Sequence, residues 1–162
     1  MYPLSPSRLN GWLRPAVFGA MDGLVTNLSL VAGVSAGGFT PHAVILAGLA
    51  AMMAGSLSMA LGEYVSVAAQ NDEARIAWLS PWVAALSSLG CFAVGAVIPL
   101  LPYLLGATSL APGVALGAAG LLGSGAVTAR LTGRSWWRGA LRQLLLGGVA
   151  VGLTFLAGSW LR

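Results

Sequence analysis

Two carboxylates lie in stretches of this chain where carboxylates are costly. Asp22 sits in the run Gly19–Gly33 and Glu63 in the run Met52–Gln70, both otherwise poor in charge. A carboxylate in hydrocarbon costs from about 2.5 kcal/mol on insertion scales to above 10 kcal/mol in simulations, so such acids face a bundle interior or a watery path and mark routes for ions, protons or substrates. Asp22 and Glu63 are half of the four acids in the chain, and no arginine falls mid-span to pair with them. Uncompensated carboxylates call for a proton, a metal cation or both.

Met59 narrows the cation, because it precedes Glu63 by one helical turn and the two side chains can converge. Carboxylate oxygen alone suits Mg²⁺, Ca²⁺ or Mn²⁺, whereas a thioether favours softer transition metals. An Asp, Glu and Met set without His or Cys points to Fe²⁺ or Mn²⁺ held weakly in transit, since transport needs release as well as binding. Periodicity extends the candidate set. Met52, Ser56, Met59, Glu63, Ser66 and Gln70 recur at steps of three and four, which is one helical face. Gly19, Asp22, Thr26, Ser29 and Gly33 do the same, with Asn27 on an adjacent face. The candidate metal ligands are therefore Asp22, Met59 and Glu63, with Met52, Ser56 and Asn27 beside them.

A plainer reading competes for the lesser members. Hydroxyl and small residues are packing glue between membrane helices, and Gly19–Gly23 has GxxxG spacing. Methionine also serves as an apolar filler. By the same logic Gly113, Gly117 and Gly120, and further on Gly148 and Gly152, read as close-packing faces. One chain offers few ligands, but a two-fold dimer would double Asp22, Met59 and Glu63 to about six. His42 reads as an interfacial residue, and the lone Cys91 as a packing residue that excludes an intrachain disulfide.

The elements that must position these residues are membrane helices. Of the 162 residues, 57% are hydrophobic and 7% charged, against about 25% charged in soluble domains. The fold class is all-α and integral to a membrane, one transmembrane domain over 1–162 with short loops. Five spans are expected near Pro15–Ala36, Pro41–Gln70, Pro81–Leu101, Pro112–Ala129 and Ala140–Leu161. The second reaches roughly 40 Å, so its C-terminal end should protrude into water. Thr40 can cap it, and Pro41 suits the first helical position. Asn71–Ser80 reads as the following loop, with Asp72 and Glu73 solvated in it.

All eight basic residues are arginine, and seven fall on one face: Arg8, Arg14, Arg75, Arg130, Arg134, Arg138 and Arg142, with Arg162 opposite. That places the N-terminus in the cytoplasm and the C-terminus outside. Trp12, Trp78, Trp82, Trp136 and Trp137 mark the inner interface and Trp160 the outer one. A cleaved signal peptide ending near Ala36 is the competing reading of the first span, and Asp22 and Asn27 interrupt its apolar core. The net charge of +4 follows the span ends rather than forming a stripe, which argues against nucleic-acid binding.

The run Gly19-Ala-Met-Asp-Gly-Leu-Val-Thr-Asn-Leu-Ser-Leu-Val-Ala-Gly33 resembles the first span of the vacuolar iron transporter (VIT) family. Met53-Ala-Gly-Ser-Leu-Ser-Met-Ala-Leu-Gly-Glu-Tyr-Val-Ser66, with Gln70, is similar to its second span. The resemblance implies five spans in a homodimer, with an ion path at the subunit interface lined by spans one and two. It implies Fe²⁺ or Mn²⁺ as transported substrate, leaving the cytosol in exchange for protons, with no permanently bound cofactor. Asp22 takes the position of the family's acidic pore residue and Met59 that of its pore methionine. Glu63 lies within the matching motif, and its pore role rests on the stripe. One departure is large: eukaryotic members carry a Glu- and Met-rich cytoplasmic domain between spans two and three, where this chain has about ten residues.

The leading expectation is a metal/proton antiporter. A non-transporting scaffold that recruits soluble partners through the Arg130–Arg142 segment is the alternative. An enzyme is not expected, since no nucleophile–base pair occurs. Arginine-only basic usage and the short form favour a bacterial plasma membrane.

Overall fold

The computed structural model describes residues 12–74 and 79–162. The expectations for Arg8, Arg75 and Trp78 lie outside the described residues. Five helices follow one another: α1 (Leu13–Ala36), α2 (Pro41–Ala74), α3 (Pro81–Leu104), α4 (Leu110–Leu131) and α5 (Trp136–Trp160). Each is long and apolar enough to cross a bilayer, so the chain is a multi-pass membrane protein.

The span ends shift in an informative way. α2 continues through Ala74, so Asp72 and Glu73 belong to its last turn and not to a loop. α5 begins at Trp136, ahead of the expected Ala140, which makes Arg138 helical as well as Arg142. Hydropathy locates the edge of the hydrocarbon, whereas backbone hydrogen bonds carry a helix beyond it into water. α3 likewise passes through Pro99 and Pro102 to Leu104. Each proline removes one backbone donor, and packed neighbours in a membrane bundle absorb the loss.

Local signals set the turns. The Ala43 N–H donates to Thr40 Oγ1 at 3.3 Å, so Thr40 does cap α2 ahead of Pro41. Just past the end of α4 stands Gly133, whose φ of 67° only glycine adopts cheaply. There the Arg134 N–H donates to the Ala129 carbonyl at 2.8 Å and the Gly133 N–H to that of Arg130 at 3.1 Å. This Schellman closure turns the chain straight back into α5.

α1 is the central helix and touches the other four. Its tightest neighbour is α3. A Cβ added at Gly23 would overlap the Phe92 carbonyl, one at Gly95 the Ala20 carbonyl, and one at Gly19 would lie 2.6 Å from the Ser88 carbonyl. Backbone therefore rests on backbone. In the same seam the buried Asn27 Nδ2 donates to the Ala96 carbonyl at 2.6 Å. Apolar clusters of Leu24, Leu28 and Leu121, and of Val31, Val44, Leu100 and Tyr103, fill the interior.

The glycine expectations divide. Gly113, Gly117 and Gly120 pack against α1 and α3 residues, as their spacing suggests. Gly148 and Gly152 meet nothing within 4 Å; α5 uses Gly139, Gly147 and Gly158 for its close approaches. A four-residue spacing defines a face, but neighbouring helices decide which face turns inward.

Candidate functional site

α2 leans on α3 through side chains rather than backbone. Gly48 receives the Leu100 side chain and Gly55 the Phe92 ring. Tyr64 meets Trp82, with ring centroids 4.9 Å apart. This spacing leaves a groove of about 350 Å³ between α1 and α2. α1 lines it with Phe18, Asp22 and Thr26; α2 with Gly55, Ser58, Met59, Gly62, Glu63 and Ser66; Phe92 of α3 forms part of the wall. Asp22, Met59 and Glu63, separated by up to 41 positions in sequence, thus share one cavity.

They lie in series along it. Gly23 and Gly55 both abut Phe92, so Asp22 is level with Gly55. Met59 is then one turn further along α2 and Glu63 two turns, about 12 Å beyond Asp22 by helical rise. The Tyr64–Trp82 contact confirms the level, because Trp82 is the second residue of α3. Glu63 therefore stands at the mouth of the groove, near the end shared with the start of α3, and Asp22 stands at mid-span. The apolar stretches of sequence had suggested mid-span depth for both. The Thr26 hydroxyl lies beside the Asp22 carboxylate, one turn along α1.

The remaining candidates sit elsewhere. Asn27 is committed to the α1–α3 seam, where its Oδ1 has no partner among the described residues. Ser56 and Ser29 are buried, and their hydroxyls have no partner among the described residues. Met52 is half-buried and outside the groove lining. Gln70 donates to Ser66 at 3.1 Å on the exposed end of α2. His42 is exposed at the start of α2. The stripe read on α2 is thus rotated, with Gly55, Ser58 and Gly62 lining the groove where Met52 and Ser56 do not. Helical spacing contains that alternative equally well. Phe18 and Phe92 carry no sequence signal, since only the packing of three helices brings them there.

Among the described residues no three His, Cys, Asp or Glu side chains cluster closely enough to hold a metal ion. One chain contributes two carboxylates and one thioether to the groove, short of the six or more ligands that hard divalent cations take. The groove is open at Gly62, where an added Cβ would meet nothing within 4 Å.

The family model for the VIT family matches residues 13–78 and 72–159, which is nearly the whole chain. The chain belongs to the VIT family. Among its relatives, vacuolar iron transporter homolog 1 of Oryza sativa subsp. japonica is 38% identical over 168 residues, covering 89% of this chain and 71% of the relative. Vacuolar iron transporter homolog 5 of the same plant is 39% identical over 164 residues, covering 89% and 77%. Vacuolar iron transporter homolog 2 of Arabidopsis thaliana is 44% identical over 108 residues, covering 59% and 55%. These are names of transporters and not of enzymes. The two matched stretches of the VIT family meet at 72–78, the α2–α3 junction.

Proposed function

We propose that this VIT-family chain is a transporter for divalent transition metal, Fe²⁺ or Mn²⁺, and that it works as a two-fold dimer with its α1–α2 grooves facing each other. The observation that carries the reading is the convergence of Asp22, Met59 and Glu63 in one cavity. Two carboxylates in a groove open to the side of a bundle are costly against lipid, and a second copy covers them while doubling the ligands. Leu46, Met53, Leu57, Leu61 and Val65 of α2 are exposed, and in this reading they face lipid or the second copy.

The ends of the helices support an orientation. Arg14, Arg130, Arg134, Arg138 and Arg142 lie at one end of the bundle and Arg162 at the other, which favours a cytoplasmic N-terminus. Glu63 then stands at the cytosolic mouth, with exposed Asp72 and Glu73 further out on the same helix. Metal taken up at Glu63 passes Met59, whose soft sulfur slows a transition metal without trapping it. It then reaches Asp22 and Thr26 at mid-span. A carboxylate must be deprotonated to bind metal, so binding releases protons and protonation releases metal. That exchange is the chemical basis for proton antiport, which moves metal out of the cytosol. We place the protein in a bacterial plasma membrane on composition alone; its plant relatives carry vacuolar names.

The test is Fe²⁺ and Mn²⁺ flux into proteoliposomes, with internal pH followed in parallel. Wild type should move metal and protons in opposite directions. Asp22→Asn should lower flux by at least about tenfold, equivalent to ~1.4 kcal/mol. Unchanged flux in Asp22→Asn sinks the pathway.

A further inference from the structure

A second cleft, at the α4–α5 corner, is lined by arginine instead of acid. Arg134, Arg138 and Arg142 surround about 390 Å³ above a base of Ala129 and Gly139. The fold builds this spacing. Gly125 and Gly139 bring α4 and α5 into backbone contact, the Schellman turn returns Arg134 to the cleft, and Arg138 and Arg142 are one turn apart on α5. No acidic side chain lines the cleft, and the four acids of the chain sit on α1 and α2. Ser135 caps α5 without a side-chain hydrogen bond, so the amides of the first turn add positive potential there.

Three guanidinium groups without a carboxylate around one cavity match a phosphate, which accepts their forked donors. The surroundings identify the carrier of that phosphate. Trp136 and Trp137 open α5 with about half their surface exposed, 53% and 52%, as side chains at a membrane interface do, and the Arg138 guanidinium lies over the Trp137 ring, 5.2 Å from its centroid. Beyond Arg142, one and two turns further into the span of α5, Leu145 and Val149 present exposed apolar surface. Basic pockets between membrane helices at the interface hold anionic headgroups in this manner.

We propose that this cleft binds the headgroup phosphate of an anionic phospholipid, with Arg138 and Arg142 as its main contacts and the acyl chains along Leu145 and Val149. The site is separate from the α1–α2 groove and stands without the transport reading.

The test is native mass spectrometry and thermal unfolding of the full chain in mixed micelles containing phosphatidylglycerol or, as reference, phosphatidylcholine. Phosphatidylglycerol should remain bound and raise Tm by several degrees. Arg138→Gln and Arg142→Gln should each reduce retention severalfold, and the double variant should abolish it. Arg130→Gln, in the same segment but outside the cleft lining, should retain the lipid. Equal loss in Arg130→Gln overturns the cleft in favour of general attraction to a basic end. Full retention in the double variant overturns it outright. The same Tm rise with inorganic phosphate in phosphatidylcholine micelles overturns the lipid assignment.

Discussion

The two sides of α1 form contrasting interfaces. Toward α3 it presents Gly19, Gly23 and Asn27 and lies backbone against backbone. Toward α2 it presents Phe18, Asp22 and Thr26 and stands away from its neighbour across a groove that carries two carboxylates. Phe92 serves both, its carbonyl touching Gly23 and its ring covering Gly55. Burial follows the same division, with 44% of the most apolar stretch of α1 and of α3 buried but only 17% of that of α2. Tight packing holds the scaffold, and loose packing leaves room for ligand-type side chains. A helix sealed on both sides would have no place for Asp22.

Breaking the seam should give the largest effect. Gly23→Ala or Gly95→Ala places a Cβ on a neighbouring carbonyl, where neither backbone can yield. Each should destabilise the bundle by on the order of 3 kcal/mol, measured by thermal unfolding in detergent. A wild-type Tm in both would show that the two backbones do not touch.

Disturbing the groove should affect transport and spare the fold. Met59→Ala should lower Fe²⁺ flux severalfold while leaving Tm within a few degrees, because Met59 is only half-buried. Lost stability without altered flux would make it a packing residue. Glu63→Gln should act mainly at low metal on the side of the Glu63 mouth, where capture limits the rate, and little at saturation. An equal loss at all concentrations would move Glu63 from the mouth into the rate-limiting site.

Asn27 provides a finer comparison. Asn27→Ala removes the bond to the Ala96 carbonyl and should cost about 1 kcal/mol of stability, with flux per folded protein unchanged. Selective loss of flux would return Asn27 to the pathway as a ligand. The smallest effect is expected at Gly62, which has space on the groove side. Gly62→Ala should leave stability unchanged or raise it by up to ~1 kcal/mol. A marked Tm loss that depends on protein concentration would mean that the second copy of the proposed dimer packs against Gly62 instead of leaving the groove free there.

Much of this was legible in residue order. Five apolar runs fix five spans, since hydrocarbon admits only helices whose backbone bonds close internally. The Thr40–Pro41 start was equally plain, because capping is local. Asp22, Met59 and Glu63 stood out by cost and chemistry. Asn27, Ser56 and Met52 were less readable, because a polar residue beside a stripe serves packing and binding equally well. The rotation of the α2 stripe and the choice among α5 glycines depend on partners far off in sequence.

The sequence alone determined the membrane class, the number of spans and the acids that hydrocarbon makes costly. These follow from transfer energies and local hydrogen bonding, which each segment carries by itself. Tertiary structure decided that Asp22 and Glu63 lie in series, that Phe92 separates seam from groove, and that three arginines close around one cleft. Those facts depend on how nearly glycine brings each pair of helices together. No single segment contains that information.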